Sequence, residues 1–337
     1  MSIPLVSRFP AVFAVLALIL VVAICKPLVI YFTDKKGFRK YPNQNWLSGF
    51  TNLARCWEIG RPHHHIHSKR LHDAHREQPI IRVGPNWLSF GRSPAARDIY
   101  GYESKCRKGA AYDKLAEGGA HLNNISNKPE HIARRRMVAS YYAPRNIEDW
   151  EPRVAASMVN FRCRIDDWCT LPGNPQQEFE TTFDGVRWIF LFSMEAIIKI
   201  GLSKDVAFLE HGNDHIEVGD ADGTLRAVSV IHSVHAVGRA GATVLWDTEN
   251  LSWWISLTTR LSKKYASNWL CGADWHAAME TLVRERMERY SNGEILNDLF
   301  QPMMEGARGN KADISIKDRI GEVEQMGKCQ RVQPQPR

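Results

Sequence analysis

The sequence predicts a mainly α-helical protein with a small β-sheet near residues 79–90, behind one apolar N-terminal helix. Between Ile147 and Trp168, apolar side chains recur at spacings of three and four residues, which is typical of one helix face. Two short runs of β-forming residues flank a Gly-Pro-Asn turn at 84–86 and predict a β-hairpin. The third observation is an uncharged apolar run near the N-terminus.

This apolar run comprises residues 11–25. At 1.5 Å per residue it gives about 22 Å of helix, less than the ~30 Å hydrocarbon core of a bilayer, but apolar residues on both sides lengthen it. Four basic residues follow between 35 and 40, whereas only Arg8 precedes. The positive-inside rule therefore predicts a single-pass transmembrane anchor over residues 1–32, with the body in the cytosol. The alternative is a cleaved signal peptide, whose apolar region has a similar length.

The charge distribution agrees with a membrane protein better than with a nucleic-acid-binding protein. The 337 residues carry 44 Lys and Arg against 37 Asp and Glu, a net charge of +7. The first 40 residues hold six basic residues and one acidic residue, so only +2 is left for the rest of the chain. We therefore expect no nucleic-acid partner. The 7 cysteines include no C-x-x-C pair, which favours reduced thiols in a cytosolic body.

The elements of the first third follow from local signals. Residues 33–61 contain scattered Pro, Gly and Asn and are predicted to form a hinge. A polar helix is predicted over 62–78, before the hairpin. Ser93-Pro94 is a helix start, with Pro at the first helical position, and this helix is expected to end at Gly101. Residues 104–127 are predicted to form a long loop with some helical turns.

The rest of the chain is predicted to be helical wherever apolar residues recur at helical spacing. The predicted helices are 128–142, 147–168, 179–201, 274–290 and a helix beginning over 314–326. Asn127-x-x-Glu130 is a capping-box-like start for the first of them. The 179–201 segment carries three charged residues in its apolar part, so we expect a buried core helix rather than a second span. Residues 327–337 are predicted to be an aberrant polar tail.

His131 and Arg135 are the strongest candidates for a binding site. Their i, i+4 spacing places both side chains on one face of the predicted helix. Such a pair of donors suits an anionic oxygen cluster such as a propionate, another carboxylate or a phosphate. The alternative is a cluster of surface charges without a ligand. The neighbouring Arg134 and Arg136 are expected to point elsewhere, to solvent or to acidic partners.

The sequence gives no residues for two other kinds of site, a metal site and a self-contained catalytic site. In the histidine-rich segment 63–75, the pairs His63–His67 and His72–His75 have spacings that can bind zinc or nickel, but no thiolate or carboxylate completes the set. Nucleophile elbows, phosphate loops, dinucleotide-binding glycine motifs and paired-carboxylate signatures do not occur. The sequence therefore predicts no metal ligands and no self-contained catalytic residues.

The order of several short motifs is similar to that of a known family. These motifs are LHDAHREQPIIRVGPNWLSF, SPAARDIYG, CRKGAAYDKL and HIARRRMVASYYAPRNIEDWEPRV. Over residues 1–326 the chain resembles the N-terminal portion of a fungal-type microsomal cytochrome P450 monooxygenase. The resemblance implies that His131 and Arg135 match a pattern, aromatic-x-x-x-Arg, whose members hydrogen-bond a heme propionate. It also implies that 104–127 helps to line a substrate pocket.

The resemblance further implies heme as cofactor, NADPH supplied through a partner reductase, and a small lipophilic substrate of secondary metabolism. It implies location at the endoplasmic reticulum membrane. The family's F-x-x-G-x-R-x-C thiolate loop and its helix-I acid–alcohol pair are not found in this sequence, and Cys329 lacks the flanking residues of a heme ligand. We therefore expect an incomplete cytochrome P450-like domain over 62–326, truncated before these motifs and inactive alone. The alternative is a non-catalytic, membrane-tethered binding or regulatory protein.

Overall fold

The computed structural model describes residues 9–61, 63–101, 103–139, 142–168, 184–220, 222–305 and 314–328. The chain divides into two compact units. The first unit comprises residues 1–106 with 242–249, and the second comprises 107–241 with 250–337.

Among its described residues, the first unit contains four α-helices and one β-hairpin. Its elements are α1 (Phe9–Thr33), α2 (Leu53–Ile59), α3 (His64–Ala74), β1 (Ile80–Gly84), β2 (Trp87–Phe90) and α4 (Pro94–Tyr100). The predicted hairpin is confirmed: β1 and β2 are antiparallel, with Ile81 opposite Ser89 and a register shift between Arg82 and Gly84. The helix that begins after Ser93 is confirmed as well, whereas α2 lies inside the segment expected to be a hinge.

Helix α1 covers most of the apolar N-terminal segment. Within the described ranges, however, no helix combines the length and the apolarity needed to cross a membrane. The structure therefore gives no support to the transmembrane anchor predicted over residues 1–32.

The second unit is also mainly helical. Its elements are α5 (Ala110–Ala116), α6 (Lys128–Ala139), α7 (Pro144–Trp168), α8 (Gly185–Leu202), α9 (Phe208–His211), β3 (His215–Gly219), β4 (Leu225–Ser229), α10 (Val230–Val244, which ends in the first unit), α11 (Leu251–Leu261), α12 (Lys263–Ser291), α13 (Gln301–Glu305) and α14 (Ile316–Lys328). The predicted polar tail lies almost entirely outside the described residues, apart from the last two residues of α14.

The hairpin of β3 and β4 corrects the fold prediction, which placed sheet only near residues 79–90. The two strands are antiparallel, and Glu217 lies opposite Ala227. Ile216 and Val218 are buried while the alternate residues of β3 are exposed, so one face of the strand packs on the core. Only two apolar residues carry this alternation in a strand of five, which is too short a pattern to predict the strand.

The core of the second unit is built around α8, α12 and α14. Helix α8 is the predicted core helix, confirmed over the residues that the structure describes, and Asp184 caps it by accepting a hydrogen bond from the Arg187 amide. The apolar side chains shared by this core include Leu191, Met194, Ile198, Trp275, Met279, Val283, Phe300, Ile320 and Val323. The predicted stripe on α7 is only partly buried, because Trp150 is 5% exposed whereas Ile147 and Met158 are about half exposed.

Candidate anion-binding site on helix α6

The start of α6 is fixed by a side-chain cap. The Asn127 carboxamide oxygen accepts a hydrogen bond from the Glu130 amide at 3.1 Å, and the Asn127 carbonyl accepts one from the His131 amide at 2.9 Å. This arrangement confirms the predicted cap and satisfies amides that the first turn leaves without helical partners. It fixes where the next turn, which carries the candidate site, begins.

His131 and Arg135 lie one turn apart on α6, and Lys108 adds a third basic group beside them. Burial lowers the pKa of His131, and the nearby positive charges of Lys108 and Arg135 lower it further. His131 is partly buried and Arg135 is exposed. Across the described residues, neither of these two side chains forms an ion pair with a carboxylate. The cluster is therefore a group of basic side chains for which the described residues give His131 and Arg135 no carboxylate partner.

Lys108 reaches this cluster from the loop before α5. Its ammonium donates to the carbonyl oxygens of Leu122 at 3.2 Å and Asn123 at 2.8 Å, and burial lowers its pKa. Lys108 was not predicted, because it lies 23 positions before His131 and no spacing rule joins the two. Only its place in the CRKGAAYDKL motif could have drawn attention to it.

Arg134 shows the opposite environment on the neighbouring face of α6. Its guanidinium lies 3.1 Å from a Glu322 carboxylate oxygen and 3.7 Å from one of Asp318, both on α14. The Arg134 and Glu322 side chains are each only 8% exposed. The expected acidic partner of Arg134 therefore exists, and it lies 188 residues away in the sequence. Arg136 is exposed.

The same two carboxylates hold the backbone of residues 119–124, which we call the 119–124 segment. Asp318 accepts a hydrogen bond from the Ala120 amide at 2.9 Å, and Glu322 accepts one from the Leu122 amide at 3.0 Å. Burial raises the pKa of Glu322, and the hydrogen bonds from Leu122 and Arg134 oppose this shift only in part. The segment predicted to be part of a loop is thus fixed to α14.

The second unit also contains an apolar cavity between α8, α12 and α14. Met194, Ile198, Met279, Val323 and Met326 are among the residues that line it. Its volume is about 10 Å³, enough for roughly one water molecule. It is too small to hold a substrate or a prosthetic group.

No set of three His, Cys, Asp or Glu side chains in the described part of the chain could hold a metal ion. In the histidine-rich segment 63–75, two of the rings form hydrogen bonds with nearby protein groups. His72 pairs with the Ser89 hydroxyl at 2.8 Å, and His75 pairs with the Leu71 carbonyl at 2.9 Å. The structure therefore does not support a metal site there.

The residues present fit only one part of a heme group. Lys108, His131 and Arg135 offer donors to carboxylates such as the heme propionates. A thiolate ligand to the iron requires a deprotonated cysteine. Burial raises the pKa of Cys56 to about 11 and also raises that of Cys271, whereas Cys25, Cys106 and Cys163 are exposed. Cys169 and Cys329 lie outside the described residues.

Comparisons with known proteins agree with the resemblance seen in the sequence. No protein-family model matches the chain. A cytochrome P450 monooxygenase of Penicillium oxalicum is 32% identical over 127 residues, which is 38% of this chain and 24% of that protein. The tryprostatin B 6-hydroxylase of Neosartorya fischeri is 23% identical over 69% of this chain and 37% of its own length.

A solved structure gives the same result at the level of the fold. The retinoic acid-bound cyanobacterial CYP120A1 superposes with a TM-score of 0.50 at 10% identity, over 76% of this chain and 50% of that one. The chain spans less than two fifths of the length of the curated relatives named above. The chain is therefore similar to a part of the length of fungal cytochrome P450 monooxygenases.

Proposed function

We propose that Lys108, His131 and Arg135 bind the propionates of a heme. The observation that carries this proposal is the cluster of three basic groups to which the described residues offer no carboxylate. Arg135 supplies a charged donor, and His131, whose pKa is lowered first by burial and then by its basic neighbours, supplies a ring N–H. Two propionates would provide the missing negative charge, and charge-assisted hydrogen bonds of this kind are among the strong ones.

We also propose that this site orients the heme in a monooxygenation of the cytochrome P450 type. Heme with a thiolate ligand supplies the activation of dioxygen. In this chain, His131 and Arg135 would orient the propionate edge of the group and neutralise its charge. The whole reaction would be monooxygenation of a small lipophilic compound, with electrons from NADPH delivered by a partner reductase. The names of the fungal relatives support this proposal. Location at the endoplasmic reticulum membrane stays a prediction.

The propionate role can be tested by titrating the full chain with hemin and with hemin dimethyl ester, whose propionate charges are blocked. We expect the wild type to bind hemin more tightly than the ester. Replacing both His131 and Arg135 by Ala should remove this preference, with a loss of about tenfold or more in hemin affinity. Arg136→Ala, which deletes an exposed charge from the same helix, is the matched control and should keep the preference. Equal binding of hemin and its ester by the wild type would refute the proposal.

We propose, finally, that this chain does not carry out monooxygenation by itself. The F-x-x-G-x-R-x-C thiolate loop of the family is not found among the 337 residues, and this supports the proposal. The test is the carbon-monoxide difference spectrum of the reduced, hemin-loaded chain. We expect no red-shifted Soret band of the thiolate type, and such a band would show that a cysteine of this chain ligates the iron.

A further inference from the structure

The 119–124 segment is held by charged side chains from two different parts of the second unit. On one side, the amides of Ala120 and Leu122 donate to Asp318 and Glu322 of α14. On the other side, the Leu122 carbonyl accepts from the Lys108 ammonium, as does the next carbonyl along the chain. The segment therefore connects two acidic residues of α14 to one basic residue of the anion site.

The packing of the segment on α14 is close enough to require glycine on both sides. Gly119 has a φ of +149°, and a Cβ built there would lie 2.6 Å from the Lys317 carbonyl oxygen. A Cβ on Gly321 would lie 2.9 Å from the carbonyl group of Gly119. The backbone of Gly119 is therefore in direct contact with the backbone of α14, so we expect a shift of α14 to move the segment as well.

Lys108 has enough N–H donors both to hold the 119–124 segment and to bind an anion. An ammonium group has three N–H donors. The carbonyls of Leu122 and Asn123 take two of them, which leaves the third for an anion beside His131 and Arg135. The two carbonyls thus fix the direction of the ammonium, and their own position depends on the α14 carboxylates.

We propose that Asp318 and Glu322 are positioning residues for the anion site, because they hold the 119–124 segment in the place from which it orients Lys108. This inference rests on the proposed function of the site. Neither carboxylate would touch the anion. By linkage, the coupling is reciprocal: loss of the α14 contacts should weaken anion binding, and a bound anion should stabilise the contacts at Ala120 and Leu122.

A double-mutant cycle with hemin as the probe tests the inference. Asp318→Ala removes the acceptor for the Ala120 amide, and we expect hemin affinity to fall about fivefold or more. In a Lys108→Ala background the same substitution should have little further effect, because the group it positions is gone. Glu324→Ala is the matched control, since this carboxylate of α14 pairs with the His276 ring at 2.7 Å. Its hemin affinity should equal that of the wild type.

Hydrogen exchange at the amides of Ala120 and Leu122 gives a second readout that does not depend on a measured hemin affinity. We expect faster exchange in Asp318→Ala and slower exchange in the hemin-bound wild type. Should Asp318→Ala fail to fold, Asp318→Leu, which keeps the branched shape of the side chain but has no oxygen to accept from the Ala120 amide, is tested in its place. Effects on affinity that add in the two backgrounds would overturn the positioning role. A wild type that does not distinguish hemin from its ester would instead overturn the proposed function.

Discussion

Arg134 and Arg135 are neighbours in the sequence but belong to two different environments. The Arg134 side chain is 8% exposed and lies against two carboxylates of α14, whereas Arg135 is exposed and pairs with no carboxylate among the described residues. The cause is helical geometry, because successive residues project about 100° apart around the axis. One basic run can therefore supply an arginine that holds helices together and an arginine that is free for a ligand.

The largest expected effect is the loss of Arg134. Arg134→Ala would leave Glu322 buried without a cation, and breaking a buried pair in this way costs about 3–5 kcal/mol of unfolding free energy. We expect this loss in chemical denaturation followed by circular dichroism. Arg136→Ala is the matched control and should change stability by less than about 0.5 kcal/mol. Equal unfolding free energies for the two variants would show that the contacts of Arg134 with α14 do not stabilise the fold.

A smaller effect is expected where the 119–124 segment touches α14. In Gly321→Ala, the new methyl group would lie 2.9 Å from the backbone of Gly119, so the segment must move. Overpacking of this kind costs about 1–3 kcal/mol. Gly241→Ala is the control, because nothing lies within 4 Å of its Cβ position and alanine favours a helix. The contact would be unimportant if Gly321→Ala melted at the wild-type temperature and its segment amides exchanged at the wild-type rate.

The sequence predicted the elements whose signals are local. The β1–β2 hairpin follows from a turn of Gly, Pro and Asn, and α4 begins after Ser93 as expected. The β3–β4 hairpin was missed, because only Ile216 and Val218 carry its alternation on the first strand. The prediction of α8 as a core helix needed only its composition.

The candidate site could be predicted only in part for the same reason. The i, i+4 spacing that joins His131 and Arg135 lies within one helix. Lys108 comes from a distant loop, and the carboxylate that binds Arg134 is 188 residues away. Contacts at such separations depend on how helices pack, which no periodicity in a single sequence specifies. The family resemblance pointed to His131 and Arg135 but gave no information on α14.

The partner of Arg134 also predicts a dependence of stability on pH. The pKa of Glu322 is raised in the folded protein, chiefly by burial. The folded state therefore binds this proton more tightly than the unfolded state does, so its contribution to stability is complete below the ordinary glutamate pKa and is lost as pH rises through the raised value. We expect the unfolding free energy of Glu322→Gln, relative to the wild type, to increase between pH 4 and pH 7. A difference that stays constant over this range would contradict the raised pKa.

The smallest effect on stability is expected for Arg135. Arg135→Ala removes an exposed charge that pairs with no carboxylate in the described part of the chain, so unfolding free energy should change by less than about 0.5 kcal/mol. The substitution also removes a positive charge beside His131, so the pKa of this histidine should rise towards its ordinary value. NMR titration measures this pKa. The comparison with Arg134 is sharpest here, since neighbouring substitutions would separate stability from binding. A stability loss as large as that of Arg134→Ala would show that Arg135, too, holds the fold together.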